Sequence, residues 1–186
     1  MDLDHIKASD LKKVLVQVST AQCSVFVNRF NETLEEFLKK LEMVFPDYQV
    51  EIVSKLNEFH MARSTVGEKG PLIELYKVCR DYSKQIEACD EQFFLNEAKS
   101  IDFCGIDFAK EWTKTTKETQ HAIWQYVQLL WQLAAQYVQA RQVTLQTDEE
   151  FEIALEHFKK RLKDFGSMPQ TQSDILKFFK TLGPSP

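Results

Sequence analysis

The sequence predicts an all-α protein, a single compact bundle of about six to eight helices. Three observations carry that expectation. Apolar residues recur three and four positions apart through most of the 186 residues, which is the spacing of one helix face. The five Gly and five Pro fall largely where helices start or stop, and runs that alternate apolar with polar are scarce. Finally, 44% apolar residues including 14 Phe supply the core of one ordinary domain. The expected organisation is an N-terminal segment over 1–23, a helical core over 24–141, and a C-terminal helical pair over 142–183 packing on that core.

The first tract, Ser9 to Val18, places Leu11, Val14, Leu15 and Val18 on one helical face, although the alternation from Val14 to Val18 also suits a strand. From Ser24 to Phe45 the helix pattern is clearer. Phe30, Leu34, Phe37, Leu38, Leu41 and Phe45 form its stripe, with Glu35/Lys39 and Glu36/Lys40 as favourable pairs on the other side. Pro46 restrains Phe45 from helical geometry and ends the run. A second helix follows over Tyr48 to Met61, with Val50, Val53, Leu56 and Phe59 expected inward.

Polar residues and glycines over Ala62 to Gly70 read as a loop, and Pro71 suits the first turn of the next helix. Leu72, Leu75, Tyr76, Cys79, Tyr82 and Ile86 give that helix its stripe, a short element continues over Asp90 to Ala98, and residues 99–106 form a connector. Thr119 to Ala140 has no charged residue in 22 positions but contains six glutamines. A row of amides facing lipid is costly, so this tract is a central helix packed on most sides and not a membrane span. Further on, Thr147 and Glu150 form a capping box. Phe151, Leu155, Phe158, Leu162 and Phe165 then step four, three, four, three, and a last helix runs over Ser173 to Leu182.

Charge narrows the function classes. A net charge of −5 with 27% charged residues lacks the basic excess that tracks phosphates, so no nucleic acid is expected as a partner. The acidic start, Met1-Asp-Leu-Asp, is unlike a secretory leader, and Cys23, Cys79, Cys89 and Cys104 show no paired spacing, so free thiols in a reducing compartment are expected.

No catalytic, cofactor or metal site is legible. His60, His121 and His157 stand alone in helices. The Gly67–Gly70 loop lacks the preceding strand and the G-K-[ST] ending of a phosphate-gripping loop, and Asp148–Glu150 sits where a helix start favours carboxylates. An E-x-x-H element occurs once, at Glu118 and His121, whereas a di-iron bundle needs two and two further glutamates. A metal-dependent bundle enzyme built on these two residues is the rival reading. The surface is more informative: Gln125, Gln128, Gln132 and Gln136 share a neutral helix face, and Phe178 and Phe179 lie in a segment with five large apolar residues in ten. These six are the expected partner-binding residues. Lipid association through Ile175 to Leu182 is a further reading of that segment.

Three blocks, FNETLEEFLKKLEMVFPD (Phe30 to Asp47), DYSKQIEACDEQFFLNEA (Asp81 to Ala98) and EWTKTTKETQHAIWQYVQLLWQLAAQYV (Glu111 to Val138), together resemble a family of small helical proteins encoded by nucleocytoplasmic large DNA viruses. Its members show F-N-x-x-L-x-x-F-L-x-x-L-x-x-x-F-P, then D-x-x-F-F-L, then I-W-x-Y-L-x-x-L. The chain departs at Val127, where the family has Leu, and the resemblance covers residues 30–138, roughly three fifths of the sequence. It implies a viral origin, with no catalytic residue or cofactor to carry over. The function expected is non-enzymatic: protein-protein interaction with itself, as a homo-oligomer, or with another viral or host protein. The expected place is the host cytoplasm, a viral factory or the virion, and a host-modulating role is an alternative.

Overall fold

A computed structural model describes residues 8–65, 67–97 and 104–145, with 149, 153 and 156. The fold is all-α: six α-helices and no strand occur among the described residues. They are α1 (Ala8–Val44), α2 (Gln49–Thr65), α3 (Gly70–Cys79), α4 (Ser83–Ala88), α5 (Phe108–Glu111) and α6 (Lys117–Leu145). The chain divides into two units, Ser24–Val138 and a second that joins residues up to Cys23 with those from Gln139 onward.

The sequence suggested two separate elements before Pro46, but α1 is one helix of 37 residues. No Gly or Pro interrupts it, and its hydroxyls are absorbed without breaking it. Thr20 Oγ1 donates to the Val16 carbonyl at 2.7 Å, and Ser19 Oγ donates to the Ala140 carbonyl. The tract with strand-like alternation is helical, with Leu15 and Ser19 buried four residues apart and Val14 exposed. Pro46 ends α1 as expected, opening a 3₁₀ turn over Pro46–Tyr48.

That turn sets the rotation of α2 and corrects the expected inward face. Phe59 (5% exposed) is buried as expected, but Ile52 (1%) is the buried residue of the first turns, and Val50 and Val53 are 78% and 37% exposed. Two stripes of similar apolarity overlap on this helix, so periodicity could not choose between them. The helix also runs a turn past Met61, whose carbonyl accepts from Ser64 Oγ at 2.9 Å and Thr65 Oγ1 at 2.8 Å.

The single helix expected over 72–86 is broken by a 3₁₀ turn at Arg80–Tyr82 into α3 and α4. Leu72, Cys79 and Ile86 are all buried, and their separation of seven keeps both pieces on one face. Burial pushes the Cys79 thiol up to about 12. The short element after Asp90 is a π-helical turn over Phe93–Glu97. Its two phenylalanines are 0% exposed and enter the aromatic centre of the Ser24–Val138 unit. Phe94 lies 4.3 Å from Trp112, 4.7 Å from Trp124 and 4.9 Å from Phe108, centroid to centroid. Cys104 to Asp107 form the described part of the connector. The Thr147/Glu150 capping box, the stripe from Phe151 to Phe165 and the Ser173 to Leu182 helix lie outside the described residues.

Candidate interaction surface

Helix α6 starts cleanly. Thr116 Oγ1 accepts from the Thr119 backbone N–H at 3.2 Å, which satisfies one of the donors that a helix start leaves unpaired. Its inward arc is broad, with Ile123, Trp124, Val127, Leu130, Trp131, Leu133, Ala134 and Tyr137 all buried. Burying each of the large side chains among them contributes roughly 1.5–3 kcal/mol, so the helix is held mainly by packing.

The glutamines separate into two roles. Gln120 is buried and donates Nε2 to the Trp112 carbonyl at 2.7 Å. Gln128 turns its Nε2 toward the end of α4, 3.0 Å from the Ile86 carbonyl, 3.2 Å from that of Glu87 and 3.1 Å from Cys89 Sγ. Gln125, Gln132 and Gln136 are exposed, and Gln125 Nε2 lies 3.1 Å from His121 Nε2. Of the expected partner-binding residues, three therefore share an open face, one closes a neighbouring helix, and Phe178 and Phe179 lie outside the described residues.

The role of Gln128 was not legible in the sequence, because it depends on how α4 ends. Cys89 has a left-handed backbone (φ 51°). Its N–H meets the Ile86 carbonyl at 3.2 Å, and the Asp90 N–H meets the Gln85 carbonyl at 2.9 Å. This is a Schellman ending with cysteine where glycine is usual. Replacing Gln128 with Ala should lower stability by about 1 kcal/mol. Cys89→Gly should raise it by about 0.5–1 kcal/mol through relief of the left-handed cysteine. Urea midpoints moving in opposite directions would show both effects.

Beside this neutral face lies a closed charged set. Tyr126 stacks on Phe37 with centroids 5.0 Å apart. Its hydroxyl donates to Glu36 Oε1 and accepts from Lys40 Nζ, both at 2.6 Å. The Tyr126 hydrogen bond, and then that of Glu36, raise Lys40 to about 12, while Tyr126 and then Lys40 hold the Glu36 carboxyl below its ordinary range. These charges satisfy one another and mark the edge of the amide face.

Elsewhere, Asn31 is buried and donates Nδ2 to the Glu68 carbonyl at 2.9 Å and to Glu68 Oε2 at 3.0 Å; Arg63 Nε meets the same carboxylate oxygen at 2.6 Å. This set ties the loop before α3 to α1. Glu118 and His121, the basis of the metal-enzyme reading, are both exposed on α6. Among the described residues no three His, Cys, Asp or Glu side chains gather into a set that can hold a metal ion. No helix among them is long and apolar enough to cross a membrane. Sequence reasoning also missed the exposed Met43, Val44, Val50 and Val53, which lie on either side of the α1–α2 turn. Two of these were expected in the core.

Comparison with known proteins adds no identity: no protein family matches the chain, and no curated protein or solved structure is significantly similar to it.

Proposed function

We propose that the chain is a non-enzymatic helical protein of a large DNA virus that acts by binding protein through the amide face of α6. The observation that carries this reading is the exposed row Gln125, Gln132 and Gln136 on a helix with no charged residue between Glu118 and Arg141. Covering such a face strips water from no formal charge, and each amide offers both a donor and an acceptor to a protein surface. The viral assignment rests on the three sequence blocks between Phe30 and Val138, and the host cytoplasm, viral factory and virion are the places it implies.

Affinity capture of the tagged chain from infected cells, run beside a chain carrying Gln125→Glu, Gln132→Glu and Gln136→Glu together, tests the reading. The expected result is one or two proteins recovered in stoichiometric amount with the wild type and lost with the triple variant, which keeps its helical circular dichroism. Recovery of the same proteins with both chains overturns it, as does recovery of none with either from a chain that is itself monomeric. Mass spectrometry of purified virions would then separate a virion component from a host-modulating adaptor.

A further inference from the structure

We infer that the partner on the α6 face is a second copy of this chain, bound antiparallel about a two-fold axis between residues 130 and 131; the inference rests on reading that face as an interaction surface. Ala122, Gln125, Leu129, Gln132 and Gln136 step by three, four, three and four, the spacing of a coiled-coil seam. Four of the five are exposed and Leu129 is half-buried. They occupy a line of about 21 Å at the rise of an α-helix, all within the Ser24–Val138 unit.

Three features favour a second copy over another occupant. A two-fold interface presents the same patch from both sides, so its groups must complement themselves. Amides do, since each donates and accepts, whereas a charged row meets its own sign. In the antiparallel seam Gln125 falls opposite Gln136 of the second copy, and Leu129 opposite its Gln132. Each glutamine thus meets an amide or packs its methylenes on leucine. The chain also carries a net charge of −5, so two copies repel over most of their surfaces and approach at least cost where the surface is neutral. A lipid surface would instead call for large apolar residues on this line, and a nucleic acid for basic ones. The seam is short, so the dimer is weak and exchanges rapidly.

Sedimentation velocity of the full chain over a range of concentrations tests the proposal. The wild type should show a reversible monomer–dimer equilibrium. Gln132→Glu, which sets two carboxylates near the axis, should weaken it at least about tenfold. Gln132→Leu, which turns two leucine–glutamine layers into leucine–leucine layers, should tighten it by about tenfold. Position 132 is exposed, so both chains should keep the wild-type circular dichroism and melting temperature. Orientation is read separately in a Cys89→Ser background. Gln125→Cys combined with Gln136→Cys should form a covalent dimer under mild oxidation, and Gln125→Cys alone should not. A chain that stays monomeric at hundreds of micromolar, a dimer that neither change at 132 moves, or cross-linking through Gln125→Cys alone overturns the inference. If the chain is monomeric while the triple glutamate variant still loses a captured protein, the self-pairing fails and the interaction reading stands. If neither responds, both fail.

Discussion

Replacing Phe94 with Ala should cost about 3–5 kcal/mol, the loss expected for a fully buried aromatic whose neighbours cannot collapse into the space. Its ring is 0% exposed and faces Trp112, Trp124 and Phe108, each held by a different element or turn. Trp112 sits in the 3₁₀ turn after α5, Trp124 on α6 and Phe108 at the start of α5. Removing the ring leaves a void lined by rigid aromatic edges, and it also forfeits the stacked and tilted pairings that add to simple burial. At this chain length about 1 kcal/mol corresponds to roughly 2–4 °C, so the melting temperature should fall by about 6–20 °C. Phe94→Leu, which keeps most of the volume, should cost less than about half as much. If Phe94→Ala melts within a few degrees of the wild type, the aromatic centre is not what holds the Ser24–Val138 unit together.

Gly105→Ala should cost about 2–5 kcal/mol, from two causes that add. The backbone at Gly105 has φ +76°, a conformation that costs a residue with a Cβ about 1–2 kcal/mol. An added Cβ would also lie 2.9 Å from Glu51 Cβ and 3.4 Å from the Glu51 carbonyl carbon. Those atoms belong to the frame of α2 and move only with it, adding an overpacking cost of about 1–3 kcal/mol. Gly67 is the control. It also has positive φ, at +96°, but no atom lies within 4 Å of where its Cβ would be, so Gly67→Ala should cost only the conformational part. Chemical denaturation of the two variants beside the wild type would separate close approach from backbone preference. Equal effects at the two positions would show that α2 does not press on the connector.

The face of α6 was legible to the extent that charge was absent. A tract of 22 residues without Asp, Glu, Lys or Arg stands out in any reading, and glutamines three and four apart must share a face. The sequence does not show which of them another helix has already claimed. Gln128 and Gln125 are three apart and of the same type, yet one closes α4 and the other is exposed. The difference is the place where α4 ends, which lies about 40 residues away in sequence and follows from a left-handed cysteine that no propensity would suggest. The α2 error has the same origin. Val50 and Val53 are as apolar as Ile52, and the turn at Pro46–Tyr48, which fixes how α2 leaves α1, decides which of them joins Phe59 on the inward face.

By itself, then, the sequence determined the helical class, the end of α1 at Pro46, the start of α3 at the Gly70-Pro71 pair and the anchoring residues of α1 and α6. Each depends on spacing or on a residue whose backbone preferences act within one turn. The tertiary structure alone decided the break between α3 and α4, the rotation of α2, and which glutamines remain exposed. These depend on elements distant in the chain meeting in one orientation, and short-range periodicity carries no information about that meeting.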